Sequence, residues 1–269
     1  MISVFEFLSL PFMQRALIAG ILVGFLASYY GVFVVQRGLG FLGSGLAHAA
    51  FGGVALGILL DHEPLLTAVP FTILVAIGIT YVKNKTNLAG DTTIGIFFSI
   101  SMALGIIFIF MKRQYSSDAF NYLFGSILAV SITDVIAPAI LIFITILFSP
   151  FWNRWAYSSF DRELAQADRV PVQFDDYILS ILIAVTIVVS IKVVGIVLIA
   201  AFLVIPPAAS RLINKSFSKM TIYSVVFGIT TAIVGLWISY YLDVPSGATI
   251  ILLQALLFFI VMSVKKVFR

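Results

Sequence analysis

Residues 91–111 read DTTIGIFFSISMALGIIFIFM, and the only charged side chain in this stretch is Asp91, at its start. About 20 apolar residues are enough for an α-helix to cross the roughly 30 Å hydrocarbon core of a bilayer. The whole chain has a similar character, because 61% of its 269 residues are hydrophobic, 10% are charged and its mean hydropathy is +1.14. Soluble domains are about half apolar and about a quarter charged. The composition therefore excludes a soluble globular domain and predicts a polytopic membrane protein.

Nine apolar segments of helical length follow one another along the chain. They cover residues 15–35, 44–60, 64–82, 91–111, 132–149, 176–191, 194–210, 220–241 and 245–263. The apolar stretch 118–131 is too short to span the bilayer and is predicted to be a re-entrant helix or half-helix. Pro206 and Pro207 are expected to break the seventh segment. We predict an all-α membrane bundle of eight or nine spans that forms a single transmembrane domain over residues 1–269.

The basic residues are concentrated at one end of the predicted spans. If the chain begins outside the cytoplasm and alternates sides, 12 of its 16 Lys and Arg residues fall on the cytoplasmic side, where the positive-inside rule places them. These are Arg37, Lys83, Lys85, Arg154, Arg162, Arg169, Arg211, Lys215, Lys219, Lys265, Lys266 and Arg269. This orientation explains the net charge of +4 without nucleic acid as a partner. Membrane lipid is the expected surrounding.

The longest polar stretch, residues 152–176 (WNRWAYSSFDRELAQADRVPVQFDD), also falls on the cytoplasmic side. It holds seven charged residues between Asp161 and Asp176. A polar loop of this length between spans usually carries a function. We interpret it as a docking surface for a soluble partner, and a solvated connector is the alternative.

His48 is one of very few ionisable residues inside a predicted span. Such residues are costly in the membrane and therefore mark candidate functional sites. Ser44 lies four residues earlier, on the same face of a helix. Neutral imidazole is a common ligand of zinc and similar ions. Two interpretations are open: His48 and Ser44 bind a metal ion, or His48 is hydrogen-bonded to a neighbouring helix.

The second histidine lies in the short outer turn DHEP, which contains Asp61, His62 and Glu63. These three side chains are possible first contacts for a metal ion that approaches from outside. Adjacent residues in a turn rarely converge on one ion, so a solvated turn is the alternative.

The sequence lacks several signatures of catalysis. It has no GxxxxGK[ST] phosphate-binding loop, no HExxH and no GxSxG. We therefore predict that the chain is not an enzyme and that any ATP hydrolysis is supplied by another chain. An ion-coupled secondary carrier is an alternative, but it would need inverted repeats and buried titratable groups. Neither is found.

Three stretches resemble the bacterial permeases of metal-ion ABC importers, the family of zinc, manganese and iron uptake systems. They are GVFVVQRGLGFLGSGLAHAAFGGVALG (31–57), FNYLFGSILAVS (120–131) and VTIVVSIKVVGIVLIAAFLVIPPAASRL (185–212). The similarity extends from about Arg15 to Lys266. It implies the permease subunit of an ATP-driven importer for zinc or manganese, with iron as a further candidate. A permease for a metal chelate is the alternative within the same class.

The resemblance also implies partners and site residues. The permease would form a homodimer in the bacterial plasma membrane, bind two ATPase subunits on the cytoplasmic side and receive metal from an extracytoplasmic binding protein. The metal would be transported substrate, with no permanently bound cofactor. The segment FDRELAQADRVP (160–171) resembles the coupling loop of the family, which assigns ATPase coupling to Asp161, Arg162, Glu163, Leu164, Ala165 and Arg169.

The chain departs from the family pattern at two positions. The family has Asp-x-x-x-His as metal ligands, and here the first position is Ser44, a weaker and neutral ligand, while His48 is retained. The coupling loop usually carries glycine where this chain has Arg169. Arginine adopts a positive φ at greater cost than glycine, so the turn is expected to differ in shape.

Overall fold

The computed structural model describes residues 10–86, 88–112 and 130–267. Within these residues the chain forms eleven α-helices, a short 3-10 helix at Ser149–Phe151 and no strand, which confirms the all-α prediction. The helices are α1 (Pro11–Gln36), α2 (Leu42–Leu59), α3 (Pro64–Lys85), α4 (Gly90–Lys112), α5 (Ile132–Leu147), α6 (Trp152–Phe160), α7 (Arg162–Ala167), α8 (Val172–Val194), α9 (Ile196–Ile213), α10 (Phe217–Leu242) and α11 (Ser246–Val267). The half-helix predicted at 118–131 falls almost entirely outside the described residues.

Among the described residues, seven helices are long and apolar enough to cross a membrane: α1 to α4, α8, α10 and α11. The count rises to eight if α5 and α6, which meet at a bend of 51°, form one broken span. The shorter α9 returns the chain to the end where α8 began. This follows because Asp176, near the start of α8, and Arg211, near the end of α9, both bond to the carboxyl end of α1. The polytopic bundle is confirmed.

Two boundaries differ from the sequence-based expectation. Residues 152–176 are not a loop, because α6 and α7 occupy most of them and α8 already begins at Val172. The α9 helix also runs through Pro206 and Pro207 without a break. Pro207 removes the N–H that would bond the Leu203 carbonyl, and Gly31 of α1 packs directly against that carbonyl. Contact with Gly31 thus covers the Leu203 carbonyl, which Pro207 leaves without its helical hydrogen bond.

The two helices nearest the amino terminus lie inside the bundle. In the apolar, membrane-length part of each helix, the buried share is 67% for α1 and 72% for α2. The corresponding share is 17% for α4 and 11% for α11. The outer helices expose large apolar side chains, among them Phe110 and Leu252. Such faces suit lipid, whereas α2 is surrounded by protein.

Glycines allow the inner helices to approach their neighbours closely. A Cβ placed on Gly53 of α2 would lie 2.6 Å from the Ala68 Cα of α3. On α1, a Cβ on Gly24 would lie 3.1 Å from the Gly228 carbonyl oxygen of α10. Small residues therefore allow close packing of helices at these positions.

We predict that Gly53→Ala destabilises the protein, because the added methyl group would force α2 away from the backbone of α3. Overpacking of this kind costs about 1–3 kcal/mol. Gly95→Ala is the matched control, since a Cβ on Gly95 meets no atom within 4 Å. Thermal unfolding in detergent should show a lower midpoint for Gly53→Ala alone. Equal midpoints for the two variants would contradict the close packing of α2 on α3.

Candidate functional site

The first half of α2 places Ser44 and His48 one turn apart on the same face. The His48 Nδ1 atom lies 2.8 Å from the Ser44 carbonyl oxygen and 3.5 Å from the Ser44 hydroxyl. A carbonyl oxygen only accepts hydrogen bonds, so Nδ1 carries the proton and donates it. In the neutral ring, Nε2 then keeps its lone pair, which is the arrangement of a histidine that binds metal through Nε2.

The surroundings of His48 keep its ring in place without sealing it in the core. Its ring packs edge-on against Phe98 of α4, with centroids 5.1 Å apart and an interplanar angle of 70°. Both side chains are half-buried. Among the described residues, the hydrogen bonds of the imidazole go to its own helix, so a bond to a neighbouring helix is not observed. This geometry favours the metal-ligand interpretation.

The outer turn does not form a compact metal site. Asp61 is paired with Lys112, and Asp61, His62 and Glu63 are all exposed. No group of three or more His, Cys, Asp or Glu side chains within residues 10–86, 88–112 and 130–267 is placed to hold a metal ion. The structure thus favours a solvated turn, and a role in receiving metal stays a prediction.

The polar stretch 152–176 contains a pair of short helices, α6 and α7. Asp161 caps α7 by accepting a hydrogen bond from the Leu164 amide at 2.9 Å. Ala165 is fully buried, whereas Glu163 and Leu164 face outward. The predicted coupling residues therefore divide into an outward face and an inward face of α7.

Arg169 adopts the left-handed conformation with φ of 60°. The expectation that arginine in place of glycine would change the shape of the turn is therefore wrong. The Val170 amide bonds the Ala165 carbonyl and the Arg169 amide bonds the Gln166 carbonyl, both at 3.0 Å. This is the Schellman pattern that ends many helices, most often with glycine at the left-handed position. The two closing bonds keep the glycine-type turn although the residue is arginine.

Beneath α6 and α7 lies a cluster of buried charges that the sequence analysis did not identify. Asp176 accepts hydrogen bonds from Arg37 and Arg162, each at 2.6 Å. Asp175 is fully buried and is bound by two nitrogens of Arg154, at 2.7 and 2.5 Å. The only signal in the sequence was the adjacent pair Asp175 and Asp176, which lies where a predicted span begins, at the end where the arginines are concentrated.

Burial lowers the pKa of the Arg37 guanidinium, and the neighbouring Asp176 carboxylate opposes that shift. Arginine remains charged under these conditions. Arg37 and Asp176 form a buried ion pair, and either partner alone would be a buried, uncompensated charge.

The seven or eight candidate spans among the described residues define a multi-pass membrane protein. Residues 9–265 match the ABC 3 transport family. The chain belongs to this family, and it is a multi-pass protein of the bacterial plasma membrane.

Relatives and a solved structure agree along nearly the whole chain. It is 36% identical over 250 residues to "Manganese transport system membrane protein MntC" of Listeria monocytogenes, covering 93% of this chain and 89% of that protein. It is 32% identical over 246 residues to "High-affinity zinc uptake system membrane protein ZnuB" of Haemophilus influenzae, covering 90% and 94%. The structure "PsaBC from Streptococcus pneumoniae in complex with Fab" matches with a TM-score of 0.84 and 37% identity, covering 96% and 93%.

Proposed function

We propose that this chain is the permease subunit of an ATP-driven importer that moves divalent metal ions into the cytoplasm. The observation that carries the proposal is the geometry of His48, whose ring is oriented by its own helix and leaves Nε2 available on a deeply buried span. The relatives support the class of cargo, since their names describe manganese and zinc transport. Manganese or zinc is the proposed cargo, and iron is a further candidate.

The chemistry of the site is that of weak, reversible binding. His48 offers an imidazole nitrogen, which suits zinc or iron, and Ser44 offers a neutral oxygen, which suits manganese better than a sulfur ligand would. Because the described residues supply no three-ligand group, we propose that water or oxygens from facing helices complete the shell. Without a carboxylate at position 44, the site holds the dication less strongly, and a transport site must also release its cargo.

The proposed assembly contains two copies of the permease, two ATPase subunits and an extracytoplasmic metal-binding protein. The permease brings no phosphate-binding loop of its own, so the ATPase subunits hydrolyse ATP. The outward face of α7, with Glu163 and Leu164, is the proposed contact for the ATPase, and Arg169 adjoins it. At the opposite end, Asp61, His62 and Glu63 are proposed to meet incoming metal. The metal is cargo and not a resident cofactor.

We predict that His48→Ala abolishes metal uptake by cells or by the reconstituted transporter, because the imidazole inside the span is lost while its small neighbours leave the helix intact. Lys219→Ala is the control, since it removes an exposed side chain of α10 that lies outside the proposed metal site and the outer turn. Uptake of radioactive manganese and zinc should be measured at equal amounts of membrane protein. Undiminished uptake by His48→Ala would overturn the proposed metal site.

We also predict that Glu163→Lys weakens association with the ATPase subunit, because an exposed charge at the proposed contact changes sign. Co-purification of the two subunits measures the effect. Lys219→Glu is the matched control, since it reverses an exposed charge at the cytoplasmic end outside α7. If Glu163→Lys co-purifies with the ATPase as the unmodified protein does, α7 is not the docking surface.

A further inference from the structure

One buried carboxylate joins the cytoplasmic helices to the helix that carries His48. We propose that Asp176, Arg162 and Arg37 form a relay of positioning residues that carries movement of α7 to α2. The inference rests on the proposed function, because it assigns the path by which an ATPase on α7 would act on the metal site. The first two steps of the relay are side-chain contacts, and the third is a short, hydrogen-bonded backbone link.

The first step connects α7 to the bundle. Arg162, in the first turn of α7, donates to the Asp176 carboxylate at 2.6 Å and to the Asn84 side-chain oxygen at 3.1 Å. These partners belong to α8 and α3. Of the predicted coupling residues with long side chains, Arg162 is therefore the one that points away from the proposed ATPase face. A displacement of α7 would pull directly on two spans.

The second step connects Asp176 to the end of α1. The other carboxylate oxygen of Asp176 accepts a hydrogen bond from Arg37 at 2.6 Å. Arg37 also donates to Ser159 at 2.9 Å and to Ser158 at 3.3 Å, both in α6. Arg37, at the end of α1, and Arg162, in α7, thus bind the two carboxylate oxygens of Asp176.

The third step leads from Arg37 into α2. Four residues, 38–41, separate Arg37 from the first residue of α2. Gly38, with φ of 67°, and Leu39 close the end of α1 with bonds to the Val35 and Val34 carbonyls, and the Leu42 amide then bonds the Leu39 carbonyl. This link is short and internally bonded, so a shift of Arg37 moves the start of α2. Ser44 is the third residue of that helix.

The relay is confined by its surroundings. The adjoining cavity has a volume of about 20 Å³ and is lined by Arg37, Lys83, Asn84 and Asp176 among others. That volume holds about one water molecule. Asp176 and Arg37 are 6% and 12% exposed, so separating them inside the protein would leave each charge buried and uncompensated. The contact therefore transmits movement instead of yielding to solvent.

The test uses the complete transporter in lipid vesicles and measures metal imported per ATP hydrolysed. Arg162→Ala removes the half-exposed arm of the relay and leaves the Arg37–Asp176 pair in place, so the permease should fold and bind its ATPase. We expect ATP hydrolysis to persist while metal imported per ATP falls by at least about five-fold, the lower end of typical coupling between two sites. Lys219→Ala, which removes an exposed charge elsewhere at this end, should leave the ratio unchanged.

Arg162→Lys provides a second variant that keeps the charge beside Asp176. One ammonium group cannot reproduce both guanidinium bonds, so its ratio should lie between those of Arg162→Ala and the unmodified transporter. Unchanged ratios in both Arg162 variants would overturn the relay while leaving the proposed function intact. Loss of the ATPase subunit from Arg162→Ala would also overturn it, because Arg162 would then be a docking residue. Failure of the unmodified complex to import metal would refute the proposed function itself.

Discussion

An ionised side chain cannot be left unpaired in hydrocarbon at acceptable cost, and this constraint orders the molecule. The chain keeps its cations at the ends of its spans, and it pairs two of its buried carboxylates, Asp175 and Asp176, with arginines. Inside the described part of α2 it places a side chain that can be neutral, His48. A neutral imidazole is tolerated in the bundle, and its Nε2 is the proposed ligand of the dication, so membrane stability and the proposed transport function place their requirements on one residue.

Periodicity and composition were sufficient to predict the spans and the pairing of Ser44 with His48, because both depend on helical geometry alone. All nine predicted segments coincide with helices, although α5 qualifies as a span only together with α6 and α9 is shorter than a span. What remained open was the role of His48, since the bond from Nδ1 to the Ser44 carbonyl, which leaves Nε2 available, is a matter of rotamer and not of pattern.

Other features depend on contacts between distant residues and could not be predicted. Arg37 and Asp176 are 139 positions apart, and no local rule joins them. Tertiary packing also overrides local preferences: α9 continues through Pro207 where Gly31 covers the freed carbonyl, and Arg169 holds a left-handed conformation because two backbone bonds close the turn. Such overrides cluster at the inner and cytoplasmic helices, where the proposed transport and coupling functions lie.

The division of labour between this subunit and an ATPase is tested most directly by metal uptake into sealed vesicles that contain the subunit alone or together with the ATPase. We expect the subunit alone to hydrolyse no ATP and to accumulate no manganese or zinc under an imposed proton or sodium gradient. Addition of the ATPase, the binding protein and ATP should produce uptake. Uphill accumulation by the isolated subunit, driven by an ion gradient, would contradict the ABC permease and establish a secondary carrier.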